Sequence, residues 1–265
     1  MNTSYLTLIV IALYVPAIVL LWRSCYRPES KANTIANVLI VIGWLMQGAA
    51  LHYMIDSIQG QNLSLTNLAA TVSWMMLGLL VISNLRSQVK LLIMVMLAVG
   101  VIAQVLAQWM PSERLFSLVG NPAAVIHILT SLLAYSFLAL AALQAILVWR
   151  LDYRLKHHRT PPHPLIPPLM AMEQLLFQLL LLGFFVLSIS IAVGFIYLED
   201  YMASQTMHKL ILSLASWMLF SLLLLGHWKF GWRGKQAAKW TLIAFAVLAL
   251  GSFGTWMVTT LILGR

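Results

Sequence analysis

Residues 174–197 read QLLFQLLLLGFFVLSISIAVGFIY and contain no charged side chain. A helix of about 20 apolar residues is enough to cross a bilayer, so this stretch predicts a membrane span. Stretches of similar character fill most of the 265 residues. Backbone polar groups in lipid must be satisfied within their own segment, which favours helices over open sheet. The predicted spans lie near residues 3–22, 33–54, 65–84, 91–109, 122–149, 174–197, 208–228 and 236–263.

Composition supports the same class of protein. Hydrophobic residues make up 62% of the chain and charged residues 9%, which excludes an ordinary soluble domain. The prediction is an all-α, polytopic integral membrane helical bundle of about eight transmembrane helices, forming one domain over residues 1–265. The proline-rich segment that follows Arg150 predicts a long cytoplasmic loop over 150–173, which divides the helices into four plus four.

The distribution of Lys and Arg predicts the orientation, because cytoplasmic loops are enriched in both. Alternate loops collect all but three of the 16 basic residues on one side, so both termini are expected outside. The exceptions are Arg114, Lys209 and Arg265. The net charge of +9 therefore reflects topology and attraction to the anionic headgroups of the lipid bilayer. It does not indicate nucleic acid as a partner.

Several kinds of chemistry are excluded by missing motifs. The only cysteine is Cys25, so the chain has no C-x-x-C or C-x-x-C-H and attaches no haem covalently to itself. No nucleotide-binding glycine loop, serine-hydrolase elbow or H-E-x-x-H is present, which argues against a pump or a membrane protease. The protein is expected not to be an enzyme.

Three histidines are predicted near the outer ends of their helices, namely His52, His127 and His208. An imidazole within a membrane is a functional-site hypothesis by default, and three on one side suggest a metal or a haem iron. His127, Ser131 and Tyr135 are spaced one turn apart and share a helix face, as an iron ligand with supporting polar groups would require. The alternative for this face is helix packing.

The other candidates each have two interpretations. Gly48 lies one turn before His52 and leaves room for a planar ring, on which Trp44 stacks, or for a close helix neighbour. Lys209, beside His208 at a predicted helix start, either anchors the helix at the interface or binds a haem propionate. His227 lies at the inner end of its helix, where it belongs to a second site or to the interface.

Two stretches resemble the cytochrome c assembly proteins, the CcsA/CcmC/CcmF/HemX superfamily. Residues 127–142 read HILTSLLAYSFLALAA and are similar to the helix that opens the family's core. Residues 227–238 read HWKFGWRGKQAA and, with 243–245 and 251–254, resemble the family's G-W-R-G segment. With the Leu51-His52 pair, the resemblance is closest to the HemX-like YpjD branch of bacterial inner-membrane proteins.

The resemblance implies a multi-pass protein of the bacterial cytoplasmic (inner) membrane that handles non-covalent haem b in cytochrome complex assembly. It implies that His127 is an outer haem-iron ligand and that His227 lies near the family's inner-side histidine. The shared outer depth of the three histidines makes His52, or otherwise His208, the expected partner of His127. Tyr135 and Lys209 complete the candidate haem-binding residues. Other membrane proteins of cytochrome biogenesis or ion transport are the expected partners.

Two family features are missing from the chain. Residues 197–208 lack the Trp-rich loop of haem-delivering members, and residues 261–265 contain no second outer histidine. An accessory subunit of an ion or metal transport system is therefore the alternative function. A small-solute transporter is less favoured, because no pair of Gly/Pro-broken helices interrupts the spans.

Overall fold

The computed structural model describes residues 3–26, 30–57, 60–82, 90–110, 115–116, 120–157, 167–197 and 204–251. Within these residues, seven helices are long and apolar enough to cross a membrane, which confirms the class predicted from hydropathy. An eighth, shorter helix follows them. In chain order the helices are α1 (Thr3–Tyr26), α2 (Ser30–Ile55), α3 (Leu65–Ile82), α4 (Lys90–Trp109), α5 (Pro122–Lys156), α6 (Leu169–Tyr197), α7 (Ser204–Phe230) and α8 (Gly234–Ala249).

The helices form two compact units, and each has the same pattern of neighbours. Unit 1 comprises residues 1–118 and 162–167, and in it α1 packs on α2 and α4 while α3 packs on α2 and α4. Unit 2 comprises residues 119–161 and 168–265, and in it α5 and α7 each pack on both α6 and α8. The division follows the predicted split of four helices plus four. The assignment of the whole chain to one domain stays a prediction.

The connection between α5 and α6 is shorter than the predicted 150–173, because helix extends into it from both sides. Helix α5 continues to Lys156, and α6 already begins at Leu169. Leu151 and Asp152 are buried in the last turns of α5, where Asp152 accepts from Lys156 at 2.9 Å. An i,i+4 pair of this kind supports a helix beyond the apolar stretch, which a hydropathy boundary at Arg150 misses.

A small antiparallel sheet is the one departure from the all-α prediction among the described residues. Its strands are β1 (Asp56–Ser57), β2 (Gly60–Asn62) and β3 (Leu115–Phe116), with β2 in the centre. The pairing Asn62 with Leu115 ties the loop after α2 to the loop after α4. Asn67 donates to the carbonyls of Met54 and Asn62, so the start of α3 supports the same loop.

The orientation of the termini can be tested with reporter fusions. Because most Lys and Arg lie in alternate loops, a reporter fused after Arg159 is expected to report the cytoplasm and one fused after Arg265 the exterior. Residues 252–265, which include the end of the predicted eighth span, lie outside the described residues. A cytoplasmic signal after Arg265 would overturn the orientation and remove the shared outer face of His52, His127 and His208.

Candidate functional site

The predicted polar face of α5 packs against two neighbouring helices. Asn121 caps the helix by accepting from the Ala124 amide, and His127 lies less than two turns further on. The half-buried His127 ring donates from Nδ1 to the Ser190 carbonyl of α6 at 2.9 Å. Because a carbonyl only accepts, this bond places the proton on Nδ1 and the lone pair of the neutral ring on Nε2.

The two residues below His127 continue this contact. The hydroxyls of Ser131 and Ser190 are 2.7 Å apart, and the Tyr135 hydroxyl donates to the Leu248 carbonyl of α8 at 2.9 Å. The face that the spacing predicts therefore exists, and its polar groups join α5 to α6 and α8. Hydrogen bonds of this kind hold membrane helices together and fix the ring plane of a histidine within the same row.

His52 lies at the surface of unit 1, at the end of α2. Its side chain is 69% exposed, and Nδ1 lies 2.6 Å from the Asp56 carboxylate, which follows one turn later. A carboxylate on Nδ1 is a common support for a histidine that ligates metal through Nε2. An exposed i,i+4 pair is also an ordinary surface contact of little energetic consequence.

The space beside Gly48 is filled by a tryptophan of the neighbouring helix. The rings of Trp44 and Trp74 stack with centroids 5.2 Å apart and planes 7° from parallel. Each indole N–H donates to the backbone carbonyl of the other tryptophan, at 3.0 and 2.8 Å. A Cβ on Gly48 would lie 3.0 Å from the Trp74 ring, and one on Gly78 2.9 Å from the Trp44 ring. Of the two interpretations of Gly48, the close helix neighbour is correct, and the proposed stacking of Trp44 on a bound planar ring is wrong.

Helix α7 begins earlier than predicted, which changes the environment of Lys209. The helix starts at Ser204 instead of residue 208, so His208 and Lys209 lie in its second turn. The attraction of a helix N-terminus for anions is confined to the first turn, so it gives Lys209 no support as a propionate ligand. The Lys209 side chain is exposed. The side chain of His208 and the whole of Arg114 lie outside the described residues.

The G-W-R-G segment forms the turn between α7 and α8. Gly231 and Gly234 both have positive φ, +65° and +55°, which side-chain-bearing residues rarely adopt. The Trp232 ring lies against Gly226, where an added Cβ would come 2.5 Å from the indole. His227 donates from Nδ1 to the Trp232 carbonyl at 2.9 Å, so its lone pair also resides on Nε2.

A cleft of about 640 Å³ lies beside this turn, between the first turns of α6 and the end of α7. The rings of His227 and Phe177 stack in it, with centroids 3.4 Å apart and planes 16° from parallel. Ligand sites typically have volumes of about 300–1,000 Å³ and mostly apolar walls with a few polar groups. The cleft lining includes Met170, Gln174, Phe177, Gln178, Leu181, His227 and Arg233.

The Glu173 carboxylate connects the cleft to the start of α8. Glu173 lines it and accepts from the Gly234 amide at 2.8 Å, so a side chain of α6 caps the first turn of α8. The sequence predicts Glu173 as the last residue of the loop over 150–173, and no motif singles out Phe177. Both are separated from the G-W-R-G segment by more than fifty residues, and no local pattern connects them.

The candidate residues are therefore distributed over both units. His127, Tyr135, Lys209 and His227 belong to unit 2, whereas His52 belongs to unit 1. The pairing of His127 with His52 or with His208 stays a prediction. Among the residues that the structure describes, no group of three or more His, Cys, Asp or Glu could hold a metal ion.

Fold and site together define a class of protein: a multi-pass membrane protein with two histidine rings that donate from Nδ1 to backbone carbonyls and a cleft beside one of them. Residues 51–263 match the family described as cytochrome C assembly protein. The chain is 30% identical over 257 residues to the inner membrane protein YpjD of Escherichia coli K12, covering 96% of this chain and 98% of the relative. It is 21% identical over 253 residues to protein HemX of Brevibacillus brevis, covering 92% of each.

A third relative, an uncharacterized 28.8 kDa protein of Azospirillum brasilense, is 34% identical over 142 residues and matches 52% of each chain. No solved structure matches the chain. This protein belongs to the cytochrome c assembly protein family, as the two motif stretches predicted. It is an inner-membrane protein with several spans, and its family membership suggests a role in cytochrome biogenesis.

Proposed function

We propose that this protein handles haem b during cytochrome c assembly, holding it non-covalently through histidine. The observation that carries the proposal is the cleft beside His227, which combines a histidine of fixed tautomer with an aromatic wall and a basic residue. Family membership supports a role in cytochrome c assembly, and the cleft supports haem as the ligand.

The residues of the cleft fit a planar, amphipathic anion. The Trp232 carbonyl and the Phe177 ring hold the His227 imidazole in one plane, so that Nε2 is the coordinating atom. Phe177, Leu181 and Met170 provide apolar contacts, and Arg233 provides a cation for a propionate. A bound haem would supply an iron centre whose potential depends on its axial ligands and the surrounding polarity.

His127 is the second haem ligand that we propose, at the end of unit 2 where α5 begins. Its Nδ1 bond to the Ser190 carbonyl gives it the same coordinating atom as His227, and Tyr135 lies two turns further along the same face. His127 and His227 lie near opposite ends of their helices, at the start of α5 and the end of α7. Two such positions suit a protein that binds haem at both membrane surfaces.

The protein is proposed to bind haem without transforming it, so no catalytic residue is assigned. The alternative of an accessory subunit for ion or metal transport is not favoured by the family to which the chain belongs.

Haem titration of protein purified in mild detergent tests the proposal. The parent protein is expected to develop a Soret band with the visible bands of a low-spin b-type haem. Substituting His227→Ala is expected to weaken haem binding about tenfold or more, equal to about 1.4 kcal/mol, because it removes the ligand but leaves the apolar cleft. Substituting His127→Ala is expected to weaken haem binding at the His127 site by a similar factor.

His157→Ala is the matched control. His157 also donates from Nδ1 to a backbone carbonyl, that of Tyr153, but it is exposed and does not line the cleft. His227→Gln keeps an amide donor for the Trp232 carbonyl and separates loss of the ligand from loss of the turn. Absence of a Soret band in the parent protein, or equal haem affinity in all four variants and the parent, would contradict the proposal.

A further inference from the structure

A row of polar side chains runs through the interior of unit 1. At the end where α1 begins and α4 ends, Gln108 donates to the Ser4 hydroxyl at 3.3 Å. One turn further in, Gln104 donates to the Thr7 hydroxyl at 3.4 Å and to the Met54 sulfur at 3.5 Å. Gln104 is fully buried in a helix of a membrane-spanning segment. Burying a polar group inside a membrane-spanning helix costs free energy unless the group is hydrogen-bonded. A polar atom there that has no partner therefore indicates that a ligand binds to it.

Two acceptors in this row have no protein partner. The side-chain oxygens Gln104 Oε1 and Gln108 Oε1 are buried, and neither accepts a hydrogen bond from any residue that the structure describes. A buried acceptor that receives no hydrogen bond destabilises the folded protein, because it has lost its bond to water. The two residues are one turn apart on α4, so their side chains leave the same face of the helix.

Exchanging the amide oxygen and nitrogen of Gln104 does not remove the deficit. The Thr7 hydroxyl already donates to the Thr3 carbonyl at 3.1 Å, so it can only accept from Gln104. The oxygen of Gln104 therefore has to point away from Thr7. A small molecule that donates hydrogen bonds would satisfy it.

The row continues inward to a connected polar group. The Tyr14 hydroxyl donates to Gln47 Oε1 at 2.9 Å, and the Gln47 amide donates to the Ser73 hydroxyl at 3.3 Å. Gly100, one turn from Gln104 on α4, lies against this group: an added Cβ would be 3.4 Å from the Tyr14 ring and 3.5 Å from Gln47 Oε1. The backbone of α4 at Gly100 therefore lies close to the polar groups of α1 and α2.

We propose that unit 1 contains a hydrated site at Gln104 and Gln108, where internal water donates to both amide oxygens. Buried water in proteins hydrogen-bonds to polar groups that would otherwise be unsatisfied, and Gln104 Oε1 and Gln108 Oε1 are two such groups. It concerns unit 1 alone and does not depend on haem binding.

Radiolytic hydroxyl-radical labelling of the full-length protein in detergent tests this site. Met54, whose sulfur contacts Gln104, is partly exposed, so it is expected to be labelled above the level of Met96 in the parent protein and to lose part of that labelling in the double variant Gln104→Leu/Gln108→Leu. Met96 is fully buried and Met110 is 59% exposed, so they serve as the unlabelled and labelled controls. Labelling of Met54 that matches Met96 in the parent, or that is unchanged in the variant, would overturn the proposal.

A second measurement covers the case in which the double variant does not fold. In a Cys25→Ser background, Thr7→Cys, at the position that contacts Gln104, is compared with Leu6→Cys, at the neighbouring buried apolar position of α1. Only the thiolate reacts with methyl methanethiosulfonate, and it forms only where water is present, so Thr7→Cys is expected to react about tenfold faster. Equal rates would show that the interior beside Gln104 is dry.

Discussion

Substituting Gly226→Leu is expected to destabilise the protein by about 3 kcal/mol or more and to abolish haem binding at the cleft beside His227. Gly226 is buried, and an added Cβ would lie 2.5–2.8 Å from three atoms of the Trp232 ring. Moving the indole away from Gly226 would also disturb its contacts with Phe230 and Trp240, whose ring centroids lie 6.5 and 6.2 Å away. A displaced Trp232 also withdraws the carbonyl that orients His227.

Thermal unfolding in detergent, followed by the loss of monodisperse protein on size exclusion, measures this effect. Gly231→Ala is the control in the same turn: no atom lies within 4 Å of its added Cβ, and only the positive φ of +65° is strained. That strain costs about 1–2 kcal/mol. If Gly226→Leu unfolds at the same temperature as Gly231→Ala, the packing of Trp232 on Gly226 does not hold the turn.

Substituting Trp74→Ala is expected to destabilise unit 1 by about 3–5 kcal/mol. The change removes a stacked ring, leaves the space beside Gly48 empty and breaks the indole bond to the Trp44 carbonyl. The arrangement is reciprocal, since Trp44 fills the corresponding space beside Gly78 and donates to the Trp74 carbonyl. The double variant Trp44→Ala/Trp74→Ala should therefore cost less than the two single variants together.

Trp109→Ala provides the comparison for a tryptophan that packs little. Trp109 belongs to the same unit, but its side chain is 81% exposed, so its removal should shift the unfolding temperature only slightly. The same unfolding assay applies to all four variants. Equal shifts for Trp74→Ala and Trp109→Ala, or strictly additive effects of the two paired tryptophans, would show that the stack does not stabilise α2 against α3.

The sequence predicted which residues share a helix face, but it did not predict which residues of other helices they contact. His127, Ser131 and Tyr135 share a face because a helix returns to the same side every three to four residues, whatever surrounds it. That Ser190 and Leu248 accept from this face is a property of α6 and α8, which lie some 60 and 110 residues further along the chain. The space beside Gly48 illustrates the same limit: the glycine predicts a close contact, and the structure supplies Trp74 as its occupant.

The end of α5 and the starts of α6 and α7 were mispredicted by one to two turns for a related reason. A hydropathy scale measures the free energy of transferring side chains from water to lipid. It therefore predicts where the apolar residues end and not where the backbone hydrogen bonds of the helix end. Helix α5 passes Arg150 because Leu151 is buried and Asp152 pairs with Lys156. Helix α7 begins at Ser204, before its apolar stretch, and this removes Lys209 from the first turn.

The sequence by itself determined the class of protein, the approximate spans and the family, because each depends on local composition or on a contiguous motif. Apolar stretches specify membrane helices through the cost of burying unsatisfied backbone groups in lipid. Only the tertiary structure decided which groups surround His227, because Phe177 and Glu173 reach the G-W-R-G turn through the packing of α6. The tertiary structure alone also shows that Gln104 Oε1 has no hydrogen-bond donor among the described residues. Whether an interior polar atom finds a partner depends on neighbours that are distant in the chain.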